Sequence, residues 1–345
     1  MKRLELGITT FGEVMKDPVS GETPTYDERI NRIVEEIVLA ETVGLDYFGI
    51  GEHHREDFAV SSPQMILAAA AKLTSTIRLG SAVTVLSSED PVRIYQQFST
   101  LSALTDGRAE IMAGRGSFIE SFPLFGYDLS DYDALYEEKL DLLVRLRDEE
   151  ITTHQGPLRP AFGPLGVYPR PSHKLPISVA VGGTPASVKR AARLKLPLTL
   201  AIIGGEPLRF KPFVDLYHRE WERYGHPADE AFVSVHSHGY IDLDHAQAIK
   251  DYYPSIEVAM TKIGKERGWG PYTNATYDHA VSEAGALYVG NPEYVAKKIQ
   301  ILREAFGLDR FTMHVPVGPM SHEKVLTTIE LLGTHVSPLL ESQSS

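Results

Sequence analysis

The stretch Leu45-Asp46-Tyr47-Phe48-Gly49-Ile50-Gly51-Glu52-His53-His54-Arg55 decides how this chain folds. Its first half is a short apolar run of the kind that makes a buried strand. Its second half sets an acid and two adjacent histidines where that strand ends. Polar side chains lose water on burial and need partners, so such a cluster is costly unless it is used. A buried strand whose C-terminal end opens into a chemically loaded loop is the arrangement of an α/β barrel. Successive strand residues point to opposite faces, so His53 and His54 are expected to part, with only one of them facing the barrel mouth.

The same rhythm continues on both sides. A first strand is expected at Leu4 to Thr9. A polar loop follows, then a helix from about Asp27 to Val43 with Ile30, Ile33, Val34 and Ile37 at helical spacing. Asp27 is its expected N-cap and Gly44 its stop. After the quoted strand come an alanine-rich helix from Pro63 to Ala71 and a strand from Ile77 to Leu86. Asp90-Pro91 reads as an N-cap followed by proline at the first helical position, and that helix closes at Thr105-Asp106-Gly107. Further strands are expected at Arg108 to Ala113, Ile177 to Val181, Leu198 to Ile203, Phe232 to His238 (with reach to Ile241) and Phe311 to Val315. The intervening helices fall at about Asp131 to Arg147, Pro207 to Tyr224, from Asp244, from Asn291-Pro292 and from Ser321. Eight strands separated by helices predict a single α/β domain over residues 1–345, a (β/α)8 TIM barrel with insertions near 148–175 and 264–286. The first insertion is rich in proline and glycine and the second is expected to be irregular. A doubly wound open sheet is the competing architecture.

Composition narrows the function. The chain has 345 residues, 43% hydrophobic and 23% charged, with a net charge of −12. With no basic surplus to neutralise phosphates, nucleic acid is not an expected partner, and an anionic membrane surface is disfavoured for the same reason. There is no cysteine, so thiolate metal sites, disulfides and cysteine nucleophiles drop out. The opening Met1 to Gly7 lacks a signal peptide's apolar core, and no run approaches the roughly 18 apolar residues of a membrane span. The expected location is cytoplasmic.

Three further stretches carry candidate chemistry. Gly114-Arg115-Gly116-Ser117 ends the fourth strand, and its arginine offers a planar fork suited to phosphate. A turn with a surface arginine looks the same. Gly182-Gly183-Thr184-Pro185-Ala186-Ser187 ends the fifth. There Thr184 can cap the next helix, Pro185 fits its first turn, and two glycines bare the backbone in front of free amides. A helix start of this kind is an anion site, although barrels more often bind phosphate after strands seven and eight. A well-capped helix that binds nothing is the bland alternative. His236-Ser237-His238 places two histidines on one strand face. They could begin a metal-hydrolase site with His53 and His314, but no acidic ligand ends strand eight. Lining a substrate pocket, or hydrogen bonding inside the barrel, is the reading preferred for this pair.

Taken together, the motifs resemble the bacterial luciferase-like family of flavin-dependent monooxygenases. The residues that carry the resemblance are Gly51-Glu52-His53-His54, Ala82-Val83-Thr84-Val85-Leu86 with Asp90-Pro91-Val92-Arg93, Asp106-Gly107-Arg108-Ala109-Glu110, Gly114-Arg115-Gly116-Ser117 and Phe125-Gly126. The resemblance covers about residues 1–240 and 285–335. It implies that His53 is the catalytic histidine, that Arg115, Gly116, Ser117, Gly182, Gly183, Thr184 and Ser187 bind the flavin phosphate, and that a non-proline cis peptide at Ala82-Val83 lies behind the flavin ring. Luciferase has a cysteine at the position of Gly114 and an acid at that of Gly183, which puts light emission and an aldehyde substrate in doubt. The cofactor implied is FMN, with the deazaflavin F420 as the alternative. The reaction implied uses reduced FMN and O2, joined as a peroxide at ring carbon C4a, on a small organic substrate. Hydride transfer with F420 is the alternative within the family. Reduced FMN would come from a separate flavin reductase, and the chain would form a homodimer through helices beside strands two and three.

Overall fold

The computed structural model describes residues 2–116 and 118–342. Among the described residues twelve strand segments follow one another: β1 (Glu5–Thr10), β2 (Tyr47–Ile50), β3 (Arg78–Ser81), β4 (Thr84–Val85), β5 (Ala109–Gly114), β6 (Ile151–His154), β7 (Phe162–Gly166), β8 (Ile177–Val181), β9 (Leu198–Ala201), β10 (Val233–Ile241), β11 (Tyr288–Gly290) and β12 (Arg310–His314). Strands β1, β2, β3, β5, β8, β9, β10 and β12 pair in that order, all parallel, and β12 pairs back onto β1. This closes the eight-stranded barrel and excludes the open sheet.

Helices cover the outside because their apolar stripes match the outward strand residues. In the helix Tyr26–Thr42, Ile33, Ile37 and Ala40 are fully buried against Ile8 and Phe48. That helix is capped by Thr25, not Asp27. Thr25 and Glu28 form a reciprocal capping box, which satisfies two backbone donors where Asp27 satisfies none. Asp90, Asp244, Asn291 and Ser321 cap the helices they precede, each accepting from a backbone amide of the first turn.

Three stretches differ from the sequence reading. The expected strand from Ile77 to Leu86 is broken, because the Ala82–Val83 peptide is cis. Only β3 continues the β2 pairing, while β4 reattaches to β5 through Thr84 and Val85. The proline- and glycine-rich insertion contains an antiparallel hairpin, β6–β7. The segment from Gly264 to Gly285 is not irregular throughout. The helix His245–Arg267 runs into it, a helix Asn274–Val281 follows, and β11 then extends the sheet beside Gly239 to Ile241 of β10.

The barrel lumen is more polar than the branched aliphatic filling usual for this fold. At its floor Arg310 of β12 bonds Glu5 of β1 and Glu110 of β5. Above it the Tyr47 ring fills the lumen, seated against Gly7, Gly49 and Gly80, where a side chain would collide with it. The next level holds Thr9, His236 and His314. The mouth lies above them, at the C-terminal ends of the strands.

Candidate active site

The mouth holds a half-enclosed cavity of about 100 Å³, lined by Phe11, Glu52, His53, Ala82, Val83, Val85, Met112, Gly116, Ala180, Thr199, Ala201 and His236. Its walls are mostly apolar, with a few convergent polar groups, the usual make-up of a small-molecule site. Four of the residues singled out from sequence, His53, Ala82, Val83 and Gly116, meet in this one wall.

The backbone positions His53. Its amide donates to Val60 O at 2.8 Å, and Gly51 N donates to Thr10 O at 3.0 Å. The imidazole then sits edge-on to Phe11 (centroids 4.6 Å apart) and Phe118 (5.0 Å) and tilted on Phe58 (4.3 Å). Its Nε2 is buried with no hydrogen-bond partner. Burial, with repulsion from His314 in its protonated form as a smaller cause, pushes its pKa down to about 3. The ring is therefore neutral and its free nitrogen awaits a partner. His54 does not line the cavity. Its Nε2 lies 3.6 Å from Glu52 Oε1, and its ring packs edge-on to Phe125. Glu52 is buried with both carboxyl oxygens unpartnered, and burial raises its pKa.

Arg115 stands on the rim beside Gly116. Its Nη1 donates to Asp133 at 2.5 Å, and its guanidinium lies over the Tyr132 ring at 5.7 Å. Tyr132 in turn donates to Gly116 O at 2.5 Å. The next strand of the barrel is β8, in register with β5 through Ala113 and Val179, so Gly182 to Ser187 begin beside Arg115. Thr184 occupies the N-cap position of the helix Pro185–Arg193, but its hydroxyl makes no capping bond. The expected cap is thus a position without a bond. A Cβ on Gly182 would meet open space. Gly183 has φ +117°, a left-handed conformation that favours glycine. Ser187 is buried in the first turn. These residues leave an open cradle of backbone at a helix start, with a guanidinium beside it. Arg190 of the same helix lies over Tyr136 (5.6 Å) and pairs with Glu137. Ser117 lies outside the described residues.

His236 and His238 both point inward, as their spacing required. Among the described residues no group of three or more His, Asp or Glu is arranged to hold a metal ion. Instead the Nδ1 atoms of His236 and His314 both turn to Thr9 Oγ1, at 3.1 and 3.2 Å. Thr9 and Glu13, which complete this network, were not singled out from sequence. Nothing in an ordinary strand threonine and a loop glutamate signals a contact made across the barrel.

The donor set suits a flat ring bearing an anionic tail. Apolar walls and a neutral imidazole would face the ring, while the open backbone at Gly182 and Gly183 and the Arg115 guanidinium would face the tail. The sequence model of the luciferase-like monooxygenase family matches residues 4–310. N-acetyl-S-alkylcysteine monooxygenase of Bacillus subtilis is 26% identical over 319 residues, 88% of this chain and 92% of that protein. The uncharacterized protein y4vJ of Sinorhizobium fredii is 34% identical over 128 residues, so the match spans only 36% of its length. Among solved structures, monooxygenase RslO1 from Streptomyces bottropensis superposes with a TM-score of 0.82 at 22% identity, covering 97% of this chain and 99% of that one. The oxygenating constituent of 3,6-diketocamphane monooxygenase from Pseudomonas putida, solved with FMN, gives 0.76 at 17% identity over 97% and 98%. The F420-dependent tetrahydromethanopterin reductase of Methanopyrus kandleri gives 0.73 at 21% identity over 97% and 99%. The structural likenesses speak for the barrel, and the family match runs from the first barrel strand to the start of the last: this chain belongs to the luciferase-like monooxygenase family.

Proposed function

We propose that the protein is a flavin-dependent monooxygenase that uses reduced FMN and O2 to oxidise a small organic substrate. One observation carries this reading: the buried, unpartnered Nε2 of His53 faces the same cavity as Ala82, Val83 and Gly116, next to a rim of guanidinium and open helix start. When bound, reduced FMN supplies the electrons that activate O2.

The chain's own residues do the rest. Arg115, Gly116, Ser117 and the segment Gly182, Gly183, Thr184 and Ser187 hold the phosphate. Ala82 and Val83 support the ring. His53 exchanges a proton or a hydrogen bond at Nε2 with the group that develops charge, a role worth about 10²–10⁴ in rate. Phe11, Phe58 and Phe118 wall off water, which protects reactive oxygen species from side reactions. A separate reductase delivers the reduced flavin. Two copies pack through the helices Pro63–Ala71 and Pro91–Leu104, where Met65 and, just beyond the first helix, Leu73 are exposed. Light scattering is then expected to read twice the 38.2 kDa chain mass, and a monomer would remove that contact.

Fluorescence titration with FMN, riboflavin and F420 tests the cofactor. FMN is expected to bind tightest. A preference for F420 would instead move the protein to the hydride-transfer branch of the family. Arg115→Ala is expected to weaken FMN binding by about 10- to 100-fold, the cost of a charge-assisted bond, and to leave riboflavin unchanged because it lacks the phosphate. Equal losses for both ligands, or no loss, would remove Arg115 from the phosphate site.

A further inference from the structure

A row of hydrogen-bonding groups leads away from the cavity through the barrel wall. His236, whose ring lines the cavity, has its Nδ1 3.1 Å from Thr9 Oγ1. Thr9 Oγ1 is 3.2 Å from His314 Nδ1. His314 Nε2 is 3.0 Å from Glu13 Oε1. Glu13 lines a second, separate cleft of about 530 Å³ between Met15 to Glu36 and Pro316 to Val325. Thr9, Glu13, His236 and His314 are all buried. The row therefore spans a dry partition between two spaces. On its far side Thr10 donates to Glu13 Oε2 at 3.4 Å, and Arg29 donates to Thr10 while pairing with Glu36 at 2.7 Å.

The hydrogen count along this row is constrained. Thr9 has one hydroxyl hydrogen and faces two imidazole nitrogens, so with both bonds made at most one of those nitrogens can be bare. Glu13 decides which. As a carboxylate it only accepts, so it takes the Nε2–H of neutral His314. His314 Nδ1 is then bare and accepts the Thr9 hydroxyl hydrogen. Thr9 oxygen accepts Nδ1–H from His236. That leaves His236 Nε2 bare on the ring that faces the cavity.

We propose that His236, Thr9, His314 and Glu13 form a proton relay between the flavin cavity and the second cleft, with His236 as its cavity terminus and Thr9, His314 and Glu13 as positioning and transfer residues. This rests on the monooxygenase reading. Sending one atom of O2 into the substrate and the other into water takes two electrons and two protons, and the electrons come from reduced flavin. The relay supplies a proton without opening the cavity to solvent. In the loaded form Glu13 is a carboxylic acid, His314 carries Nδ1–H, Thr9 donates to His236 Nδ1, and His236 carries Nε2–H. Loss of the Nε2 proton into the cavity breaks that N–H bond and leaves its electron pair on Nε2. Thr9 passes its hydrogen to His236 Nδ1, His314 passes its Nδ1 hydrogen to Thr9 oxygen, and Glu13 passes its proton to His314 Nε2. Each group gains one hydrogen and gives one up, apart from Glu13, which returns to carboxylate and is reloaded from water in the cleft. His238 and Phe11, the other rings against His236, do not join the chain: His238 Nδ1 has no partner.

Nitrogen-15 NMR of histidine-labelled protein, free of flavin at pH 7, reads the tautomers directly. His314 is expected as Nε2–H and His236 as Nδ1–H. Thr9→Ser is expected to keep both and Thr9→Val to release His236 from Nδ1–H. A wild-type His236 in the Nε2–H form with His314 Nε2–H, or identical tautomers in wild type and Thr9→Val, would overturn the relay. Reoxidation of bound reduced FMN by O2 in H2O and D2O then tests transfer. Thr9→Val and Glu13→Gln are expected to slow the proton-dependent phase about 10- to 100-fold and to change its solvent isotope effect, while FMN affinity is kept. Thr9→Ser is expected to stay within about 3-fold of wild type. Unchanged rates and isotope effects in both slowed variants, with FMN bound, would sink the relay alone. Failure of wild type to bind any flavin would sink the monooxygenase reading instead.

Discussion

At the scale of single residues, the barrel interior stores histidines in a form that makes the fold acid-sensitive. Burial, helped by repulsion from His314 in its protonated form, pushes the His236 pKa down to about 3 and the His238 pKa well below its usual value. In the unfolded chain both titrate near 6.5. The unfolded state therefore binds more protons at any pH between those limits. The stability these neutral rings contribute is complete above about pH 6.5 and is lost as pH falls toward 3, at about 1.4 kcal/mol per pH unit for each histidine. His238→Phe removes one titrating group at similar volume. Between pH 6.5 and 5 it is expected to spare the protein about 2 kcal/mol of acid destabilisation relative to wild type, measured by urea unfolding at the two pH values. Parallel loss in variant and wild type would show that His238 is already protonated in the folded state. The inward facing of His236 and His238 was legible from their spacing alone. The bonds that hold His236 and His314 were not, because Thr9 lies 227 and 305 residues from them in sequence and no local pattern encodes that closure.

At the scale of elements, most boundaries follow from local chemistry, and one of the exceptions borders the site. The helix Pro63–Ala71 and β8 fall where proline and apolar runs place them. The β6–β7 hairpin was not legible, because proline-rich sequence hides short pairing. The break between β3 and β4 was invisible to periodicity, since Ile77 to Leu86 reads as one apolar run, and only the family resemblance pointed to it. The partner of that break is Gly114 at the end of β5. A Cβ there would fall 2.6 Å from Val83 Cγ2, closer than carbon atoms approach. Glycine thus lets β5 pass behind Val83 and fixes how far Val83 reaches into the cavity. Gly114→Ala is expected to drive Val83 forward, at a cost of about 1–3 kcal/mol in stability, and to weaken FMN binding because the ring and Val83 then compete for one space. The check is urea unfolding alongside FMN titration. A stable variant with unchanged affinity would mean that Val83 does not border the ring.

At the scale of the whole molecule, the barrel is held shut at the end opposite its chemistry. Arg310 begins the last barrel strand, and Glu110 lies on β5, directly across the ring of eight. Arg310 Nη1 and Nη2 reach Glu110 at 2.8 and 3.1 Å, and its Nε reaches Glu5 on neighbouring β1 at 2.7 Å. Arg78 of β3 adds a second cation on Glu110 at 2.7 Å. The buried Arg310 guanidinium ties three strands, Arg78 joins a fourth through Glu110, and Arg310 also lies 4.5 Å over the Tyr47 ring. Burial works against the Glu110 carboxylate, but Arg310 and Arg78 outweigh it and hold its pKa below the usual range. Arg310→Met leaves that carboxylate buried against Arg78 alone. A loss of about 3–5 kcal/mol is expected at pH 7, as when one partner of a buried pair is removed. The sign with pH follows from linkage. A carboxylate with a depressed folded pKa adds stability above its unfolded pKa and loses it as pH falls. The wild-type advantage over Arg310→Met should therefore shrink as the buffer is taken from pH 7 to 4, where Glu110 in the variant takes up a proton and ceases to be a stranded charge. Adding Glu110→Leu to Arg310→Met should restore part of the loss at pH 7, because an apolar pair of similar volume carries no desolvation penalty. A variant whose deficit is equal at both pH values, or whose double mutant is no better than the single, would show that Arg310 acts through packing on Tyr47 and not through the charge it places across the barrel floor.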